Sequence, residues 1–353
     1  MLVVHASDLH LGRPLRGLAN HPNLDPNVFV HAGERALARL VDCCLTRKPS
    51  LLLIAGDLID HWLRDYQLGL RLVHELSRLE YSGTKVFWVR GNHDAENRVV
   101  SALLLPEHVS ELGLTGVEVR PIDSLGLILV GRSYPKRCTE ENLFAEYPRP
   151  IPGITHIGLL HTSADGATTK DRYAPCGRRQ LSASGYDYLA LGHVHEPQVL
   201  SDKTTAIAYS GCLQGRNFDE SGPRGCQLVT FENGHVTKVE HEPLDVVRFG
   251  KIDVDVSTAN SVDDVLAHID ARCRVTLRQL PSLGLVVRIK LSGHQGLECL
   301  QSCSEKLRSQ SLRHVADTLS ERLTVDGFWA ESPAPFAPSL RLDNERDITR
   351  LDF

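Results

Sequence analysis

Residues 188–197, YLALGHVHEP, join an apolar run to two histidines that are separated by a single residue. The run at 188–191 is typical of a buried strand, and Gly192 indicates where that strand ends. His193 and His195 therefore follow the carboxyl end of a strand, which is the edge where ligands bind in an α/β sheet. Because side chains alternate along an extended chain, both imidazoles are expected on one face. They predict a binding site if other strands end in a similar way.

Four earlier apolar runs also end in residues that can hold a metal ion or contact a phosphate. Side chains from several strand ends can converge at one edge of a sheet although they are far apart in sequence. A helix cap, a turn or a core role would be ordinary for any one of them, but the complete set indicates a metal site. The residues are Asp8 and His10 after the first run, Asp57 after the second, Asn92, His93 and Asp94 after the third, and His161 at the end of the fourth.

The chemistry of these donors narrows the choice of metal. Oxygen and nitrogen ligands without thiolates suit manganese, iron or zinc and do not suit a structural thiolate site. Two such ions about 3.5–4 Å apart can act together on a phosphoryl centre, and such a pair needs a carboxylate between the ions. Asp60, three residues after Asp57, is expected to have a structural or supporting role.

The remaining pattern predicts an α/β protein with two domains. Short apolar runs alternate with helical periodicity in the first part of the chain, which is typical of a layered sheet structure with helices outside. A β-α-β-α-β pattern then predicts a second, smaller α/β domain, with helices at 261–280 and 296–312. The expected boundaries are residues 1–245 for the first domain, 249–335 for the second and 336–353 for a tail.

Composition excludes several classes of protein. With 353 residues and 42% hydrophobic residues, the chain can build a sizeable core. A net charge of −5 argues against a uniformly basic surface. A polyanion would therefore have to bind at a local part of the surface or through bound cations. Nine cysteines occur without a CxxC pair, which favours reduced thiols in a cytoplasmic protein. The chain opens on a core-like strand and contains no membrane-length apolar run, so neither a signal peptide nor a membrane span is expected.

Five segments, taken in order, resemble the motifs of the metallophosphoesterase superfamily. They are SDLHLG (7–12), GDLID (56–60), GNHD (91–94), LLHTS (159–163) and GHVH (192–195). The first resembles the SbcD branch, the nuclease subunits of bacterial DNA-repair complexes. Three further segments are similar to those of its YhaO-like members, namely DRYAPC (171–176), GYDYLALGHVH (185–195) and LQGRNFDESGPRGCQLV (213–229). The resemblance covers about residues 1–245 and implies an α/β/β/α sandwich, with 249–335 as a capping domain.

The resemblance also implies a role for each residue of the set. One metal ion would be held by Asp8, His10 and His195, the other by Asn92, His161 and His193, with Asp57 bridging them. His93 would protonate or stabilise the leaving oxygen, and Asp94 would orient His93. Arg13 and Arg216 are expected to contact substrate phosphates, since arginine suits bidentate phosphate contact.

The implied activity is that of a dinuclear-metal phosphodiesterase acting on DNA, an exonuclease or endonuclease in which a hydroxide between the metals attacks the phosphodiester. Manganese is the expected ion, with iron, zinc and magnesium as alternatives. A phosphatase or a cyclic-nucleotide phosphodiesterase with the same metal core remains an alternative, as does a non-catalytic scaffold of this fold. By analogy the protein is expected to work as a homodimer with an SMC-like ATPase subunit of the SbcC type. The tail contains no recognisable helical segment that would bind such an ATPase.

Overall fold

The computed structural model describes residues 1–15, 29–60, 62–164, 173–200, 205–318 and 322–330. The chain forms two compact units. The first comprises residues 1–14, 31–215 and 223–245, and the second comprises residues 15–30, 216–222 and 246–353. The expected tail at 336–353 lies outside the described residues.

The first unit contains twelve strands and four helices among its described residues. The strands are β1 (Leu2–Ala6), β2 (Leu51–Ile54), β3 (Lys85–Trp88), β4 (Val109–Glu111), β5 (Glu118–Ile122), β6 (Leu127–Arg132), β7 (Thr155–His161), β8 (Tyr188–Gly192), β9 (Gln198–Val199), β10 (Ala206–Tyr209), β11 (Gly225–Glu232) and β12 (His235–Pro243). The helices are α1 (Ala32–Arg47), α2 (Tyr66–Ser77), α3 (Arg98–Ser101) and α4 (Arg178–Ser182).

These strands form two six-stranded sheets. The first sheet has the order β12-β11-β1-β2-β3-β4, and the second has the order β5-β6-β7-β8-β10-β9. Strands β1 to β4 run parallel, as do β6, β7, β8 and β10. Strands β11 and β12 are joined by a two-residue hairpin at Asn233 and Gly234, both with positive φ, as this turn type requires.

Alternation along the buried strands produces the layers. In β2, Leu52 and Ile54 pack in one cluster with residues of α1 and α2, whereas Leu53 points into a second cluster between the sheets. That second cluster also contains Ala190 of β8, while the neighbouring Leu191 joins a third cluster with residues of α4. Each sheet is therefore covered on both faces, and the α/β/β/α sandwich expected for this part of the chain is confirmed.

The second unit is a smaller α/β structure. Its strands β13 (Val247–Asp255), β14 (Gly284–Ser292) and β15 (Leu323–Ala330) form a parallel three-stranded sheet in that order. The first crossover contains α5 (Val262–Gln279), whose N-terminus is capped by the Ser261 side chain at the amide of Asp264. The second crossover contains two helices, α6 (His294–Ser302) and α7 (Glu305–Thr318).

The prediction of one helix over residues 296–312 was wrong. Cys303 has an extended conformation, with φ −85° and ψ 150°, which ends α6 before α7 begins. The apolar spacing continues across this break, because Leu300 and Leu312 pack in the same cluster. Periodicity alone therefore could not locate the break. Among the described residues, no helix is both long enough and apolar enough to cross a membrane.

Candidate metal centre

The residues of the predicted site follow the carboxyl ends of five strands, all in the first unit. Asp8 and His10 follow β1, Asp57 follows β2, Asn92 and His93 follow β3, His161 ends β7, and His193 and His195 follow β8. These strands run parallel within each sheet, so their carboxyl ends share an edge. Seven of these eight side chains come within hydrogen-bond or ion-pair distance of another residue of the set or of Asp60. His193 is placed through its ring contact with His161.

The backbone of this edge is strained at four of these positions. Asp8, His10, Asp57 and His193 have φ values of 51°, 42°, 58° and 99°, a left-handed region that side chains other than glycine rarely adopt. Hydrogen bonds hold the strained segments together, since Asp8 N donates to Gly56 O at 2.9 Å and His10 N donates to Asp57 O at 2.9 Å. Strain of this kind concentrates at functional sites.

Two glycines allow the strand ends to approach each other closely. A Cβ on Gly91 would lie 2.1 Å from Asp57 Oδ1, and a Cβ on Gly192 would lie 1.9 Å from the carbonyl oxygen of Ala55. The Gly192 position is also 2.9 Å from His161 Nδ1. The distances from Gly91 to Asp57 Oδ1 and from Gly192 to Ala55 O are far below van der Waals contact, so a side chain is excluded at both positions, between neighbouring strands of one sheet at Gly91 and between the two sheets at Gly192.

Replacing Gly192 by alanine is expected to lower the free energy of unfolding by about 3 kcal/mol, because the new methyl group meets backbone that cannot move aside. Urea unfolding of the metal-free protein measures this change. Gly116→Ala is the matched control, since its Cβ would meet nothing within 4 Å. A Gly192→Ala protein as stable as the control would contradict the close approach.

Asp57 lies at the centre of the site. Its Oδ2 is 3.6 Å from His10 Nε2 and 3.5 Å from His161 Nε2, so a single oxygen has an imidazole on either side. Its Oδ1 accepts the backbone N–H of His93 at 2.9 Å. Although burial opposes ionisation, the surrounding imidazoles of His161, His10 and His93 hold the pKa of Asp57 below its ordinary value. A buried carboxylate in this position is suited to lie between two cations.

On one side of Asp57, three donors converge. His10 donates its Nδ1 proton to Asp60 at 2.8 Å, so the lone pair of neutral His10 is on Nε2. That Nε2 lies 3.2 Å from His195 Nε2, and His195 Nε2 lies 3.6 Å from Asp8 Oδ1. Ligand atoms of Asp8, His10 and His195 all lie within 4.8 Å of one another.

On the other side, His161 is oriented in the same manner. Its Nδ1 donates to the carbonyl oxygen of Ala55 at 2.8 Å, which leaves the Nε2 lone pair facing Asn92 Oδ1 at 3.0 Å. The ring of His193 lies beside it, with the two ring centroids 5.2 Å apart. Burial is the main cause that lowers the pKa of His193 to about 4, and the neighbouring His161 acts in the same direction. His193 is therefore neutral near pH 7 and able to bind a metal ion.

These distances match what metal ions require. Donor atoms about 2.1 Å from one ion, at tetrahedral or octahedral angles, are about 3.0–3.4 Å apart. With His10 and His161 neutral, their Nε2 lone pairs face carboxylate and amide oxygens, and a metal ion bound between these acceptors would stabilise the arrangement. The histidine and aspartate clusters thus fit a dinuclear metal site.

Asp60 has a larger part in the site than its sequence position indicates. Its Oδ1 accepts from His10 Nδ1 at 2.8 Å and from His93 Nδ1 at 2.9 Å, and its Oδ2 lies 3.2 Å from Arg13 Nε. Burial opposes ionisation, but the hydrogen bonds and charges of the two histidines hold the pKa of Asp60 below its ordinary value. Burial also disfavours a charged His93, yet the Asp60 hydrogen bond and nearby carboxylate charges raise the pKa of His93.

The Asp94 carboxylate is bound by backbone amides, and its expected role in orienting His93 stays a prediction. The Asp94 carboxylate accepts the backbone N–H groups of Asp57 at 2.6 Å, Leu58 at 2.9 Å and Gly91 at 3.0 Å. Asp94 therefore joins the loop after β2 to the loop after β3. The carboxylate that accepts a hydrogen bond from the His93 ring is that of Asp60.

The two predicted phosphate-contacting arginines have different surroundings. Arg13 lies next to the site, paired with Asp60 and 25% exposed at its side chain. Arg216 belongs to the second unit, where its buried guanidinium forms an ion pair with Glu220 and donates from Nε at 2.9 Å. Phosphate contact by either arginine stays a prediction.

Comparison with known proteins gives the family. Residues 1–197 match the calcineurin-like phosphoesterase family. The chain is 30% identical to the uncharacterized metallophosphoesterase YhaO of Bacillus subtilis over 359 residues, which span 99% of this chain and 84% of that protein. It is 28% identical to the DNA double-strand break repair protein Mre11 of Aeropyrum pernix over 285 residues, 74% of this chain and 65% of that protein. Among solved structures, TT1561 of Thermus thermophilus is 11% identical with a TM-score of 0.40, covering 69% of this chain and 98% of that one.

The match to the family model covers more than half of the chain and includes every strand end that carries the metal-site residues. The resemblance that the five motifs indicate is thereby confirmed. The chain belongs to the calcineurin-like phosphoesterase family.

Proposed function

We propose that this protein is a metal-dependent phosphodiesterase that cleaves DNA. In this proposal Asp8, His10 and His195 hold one divalent ion, while Asn92, His161 and His193 hold the other, with Asp57 between them. The position of Asp57 Oδ2 carries the proposal, because it lies 3.6 Å from His10 Nε2 and 3.5 Å from His161 Nε2. Manganese is proposed as the ion on the family resemblance, and the oxygen and nitrogen donors also suit iron and zinc.

Bound divalent ions supply a water-derived nucleophile near neutral pH and neutralise the charge of the phosphoryl group. The residues around them supply orientation and a proton. Asp60 fixes the ring of His93 through the Nδ1 hydrogen bond of 2.9 Å, which leaves Nε2 to face the substrate. A His93 kept protonated by this carboxylate can donate a proton to the departing sugar oxygen. Arg13 is proposed to contact a substrate phosphate beside the same carboxylate.

Two observations favour DNA as the substrate. Mre11, which is similar over 74% of this chain, is named as a DNA double-strand break repair protein. Two divalent ions held by these ligands would also provide local positive charge for a polyanion on a protein whose net charge is −5. A homodimer, an SMC-like ATPase partner, a cytoplasmic location and a capping role for the second unit are proposed on the resemblance alone.

The purified protein with added manganese is expected to shorten end-labelled DNA, with single- and double-stranded substrates assayed in parallel. The products on a sequencing gel show whether cleavage starts at the ends or within the strand. A small chromogenic phosphodiester and a phosphomonoester are assayed with the same protein. Asp57→Asn is the inactive control, because it changes the central carboxylate with little change in shape.

The pattern of activities separates this proposal from its rivals. Cleavage of small esters with intact DNA would favour a phosphatase or a small-molecule phosphodiesterase. Absence of bound metal and of all activity in manganese would favour a scaffold. Either result would contradict the proposed DNA phosphodiesterase.

A further inference from the structure

Tyr134 is a buried tyrosine next to the metal centre whose role the mechanism above does not use. It follows β6 by two residues and is therefore at the same sheet edge as His161, which ends the neighbouring strand β7. The two rings meet edge to face, with centroids 5.4 Å apart. Tyr134 is 2% exposed, and its sequence context alone gives no reason to distinguish it from a core aromatic residue.

The backbone holds Tyr134 beside the loop that carries Asn92 and His93. Its N–H donates to the carbonyl oxygen of Arg90 at 3.1 Å. The preceding Ser133 accepts from Arg90 N at 2.9 Å and donates from Oγ to Leu112 O at 2.6 Å. These hydrogen bonds join the segment after β6 to the segment after β3, which carries Asn92 and His93.

The hydroxyl group of Tyr134 is buried and has no hydrogen-bond partner in the part of the chain that the structure describes. Nearby buried tyrosines differ, because Tyr209 donates to Thr162 O at 2.9 Å and Tyr186 donates to Pro148 O at 3.0 Å. Burial raises the pKa of the Tyr134 phenol well above its ordinary value, with the charge of Asp57 as the next cause, so the hydroxyl keeps its proton near pH 7. A buried hydroxyl without a partner is unfavourable, and a phenylalanine would fill the same space without this cost.

We propose that the Tyr134 hydroxyl donates a hydrogen bond to an oxygen of the phosphate group bound at the metal centre. Tyr134 would then be a substrate-binding residue whose partner arrives with the ligand. A phenol is a neutral donor near pH 7 and does not compete with the carboxylates for the metal ions. The inference rests on the phosphoesterase function proposed above but does not require that the substrate is DNA.

The test uses the full chain loaded with manganese and measures binding of inorganic phosphate by calorimetry. Tyr134→Phe keeps the ring contact with His161 and removes only the hydroxyl. We expect the phosphate Kd to rise about tenfold, the effect of losing one hydrogen bond to a charged group. The manganese content is expected to stay at the wild-type value, and the unfolding midpoint of the metal-free protein is expected to rise, because the substitution removes a buried hydroxyl without a partner.

Tyr186→Phe is the matched control, because its hydroxyl already has a partner within the protein. It is expected to lower the unfolding midpoint and to leave the phosphate Kd unchanged, the reverse of Tyr134→Phe. A Tyr134→Phe protein that binds phosphate within twofold of the wild type would overturn the inference. If the wild type leaves DNA intact while Tyr134→Phe weakens phosphate binding, the DNA proposal fails and this one stands.

Discussion

Replacing Asp57 by asparagine is expected to reduce metal-dependent hydrolysis at least about 10³-fold, the largest effect of any single substitution in this protein. The reason is geometric. Asp57 Oδ2 has an imidazole Nε2 on either side, at 3.6 Å for His10 and 3.5 Å for His161. An amide of the same shape supplies no negative charge between two cations, so both ions are expected to bind more weakly.

Metal content separates this explanation from a folding defect. The wild type dialysed against manganese is expected to retain two ions per chain, and Asp57→Asn to retain fewer than one. Manganese should also raise the unfolding midpoint of the wild type, because binding to the native state alone stabilises it, and this increase should be lost in the variant. Asp270→Asn, which removes an exposed carboxylate that bonds Arg274, serves as the control. Two tightly held ions in Asp57→Asn would contradict its bridging position.

The two histidines after β8 provide a finer test of the same geometry. His195 Nε2 lies 3.2 Å from His10 Nε2, whereas the ring of His193 lies beside His161. Although only Val194 separates them, they belong to donor groups on opposite sides of Asp57. Removing either imidazole should therefore weaken the binding of one metal ion and leave the binding of the other unchanged. Asp57→Asn, in contrast, should weaken the binding of both ions.

Much of this site could be predicted from the sequence because parallel strands bring their carboxyl ends to one edge. That rule predicts the convergence of Asp8, Asp57 and His161 although the sequence separates them widely. The same rule says nothing about which side chain of a loop turns toward the cavity. Asp60 and Asp94 are both aspartates close behind a strand, and only the path of the loops decides that Asp60 meets imidazoles while Asp94 meets backbone amides.

Features that depend on tertiary contacts could not be predicted from local sequence patterns. Gly192 is recognisable as the end of a strand, but the clash of its Cβ with Ala55 O involves a residue of the other sheet. The break at Cys303 lies between two helices with a continuous apolar spacing. Tyr134 resembles a core aromatic residue until the surroundings of its hydroxyl are known. Local patterns predict elements and their ends, whereas tertiary contacts decide the function of single atoms.

Replacing His93 by glutamine is expected to lower the rate of DNA cleavage about 10²- to 10⁴-fold, the range for loss of a general acid, without loss of bound metal. His93 contacts Asp57 through its backbone N–H at 2.9 Å, a bond that the substitution keeps, while its ring meets Asp60. The substitution thus removes the proton donor and leaves the contacts around Asp57 in place. Manganese content measured alongside the rate checks this separation.

Comparing substrates with different leaving groups tests whether the function lost in His93→Gln is proton donation. A sugar oxygen leaves poorly without a proton, whereas a nitrophenolate leaves readily as an anion. With a nitrophenyl ester as the small chromogenic phosphodiester, the rate of its hydrolysis should therefore fall much less in His93→Gln than the rate of DNA cleavage. Asp60→Asn is the informative comparison, because its carboxylate meets both His93 and His10. That variant should lose DNA cleavage and also bind metal about 10- to 100-fold more weakly, as expected when a residue that orients a ligand is changed. If His93→Gln slowed both substrates equally, His93 would act by positioning the phosphate, and the proton would have to come from solvent.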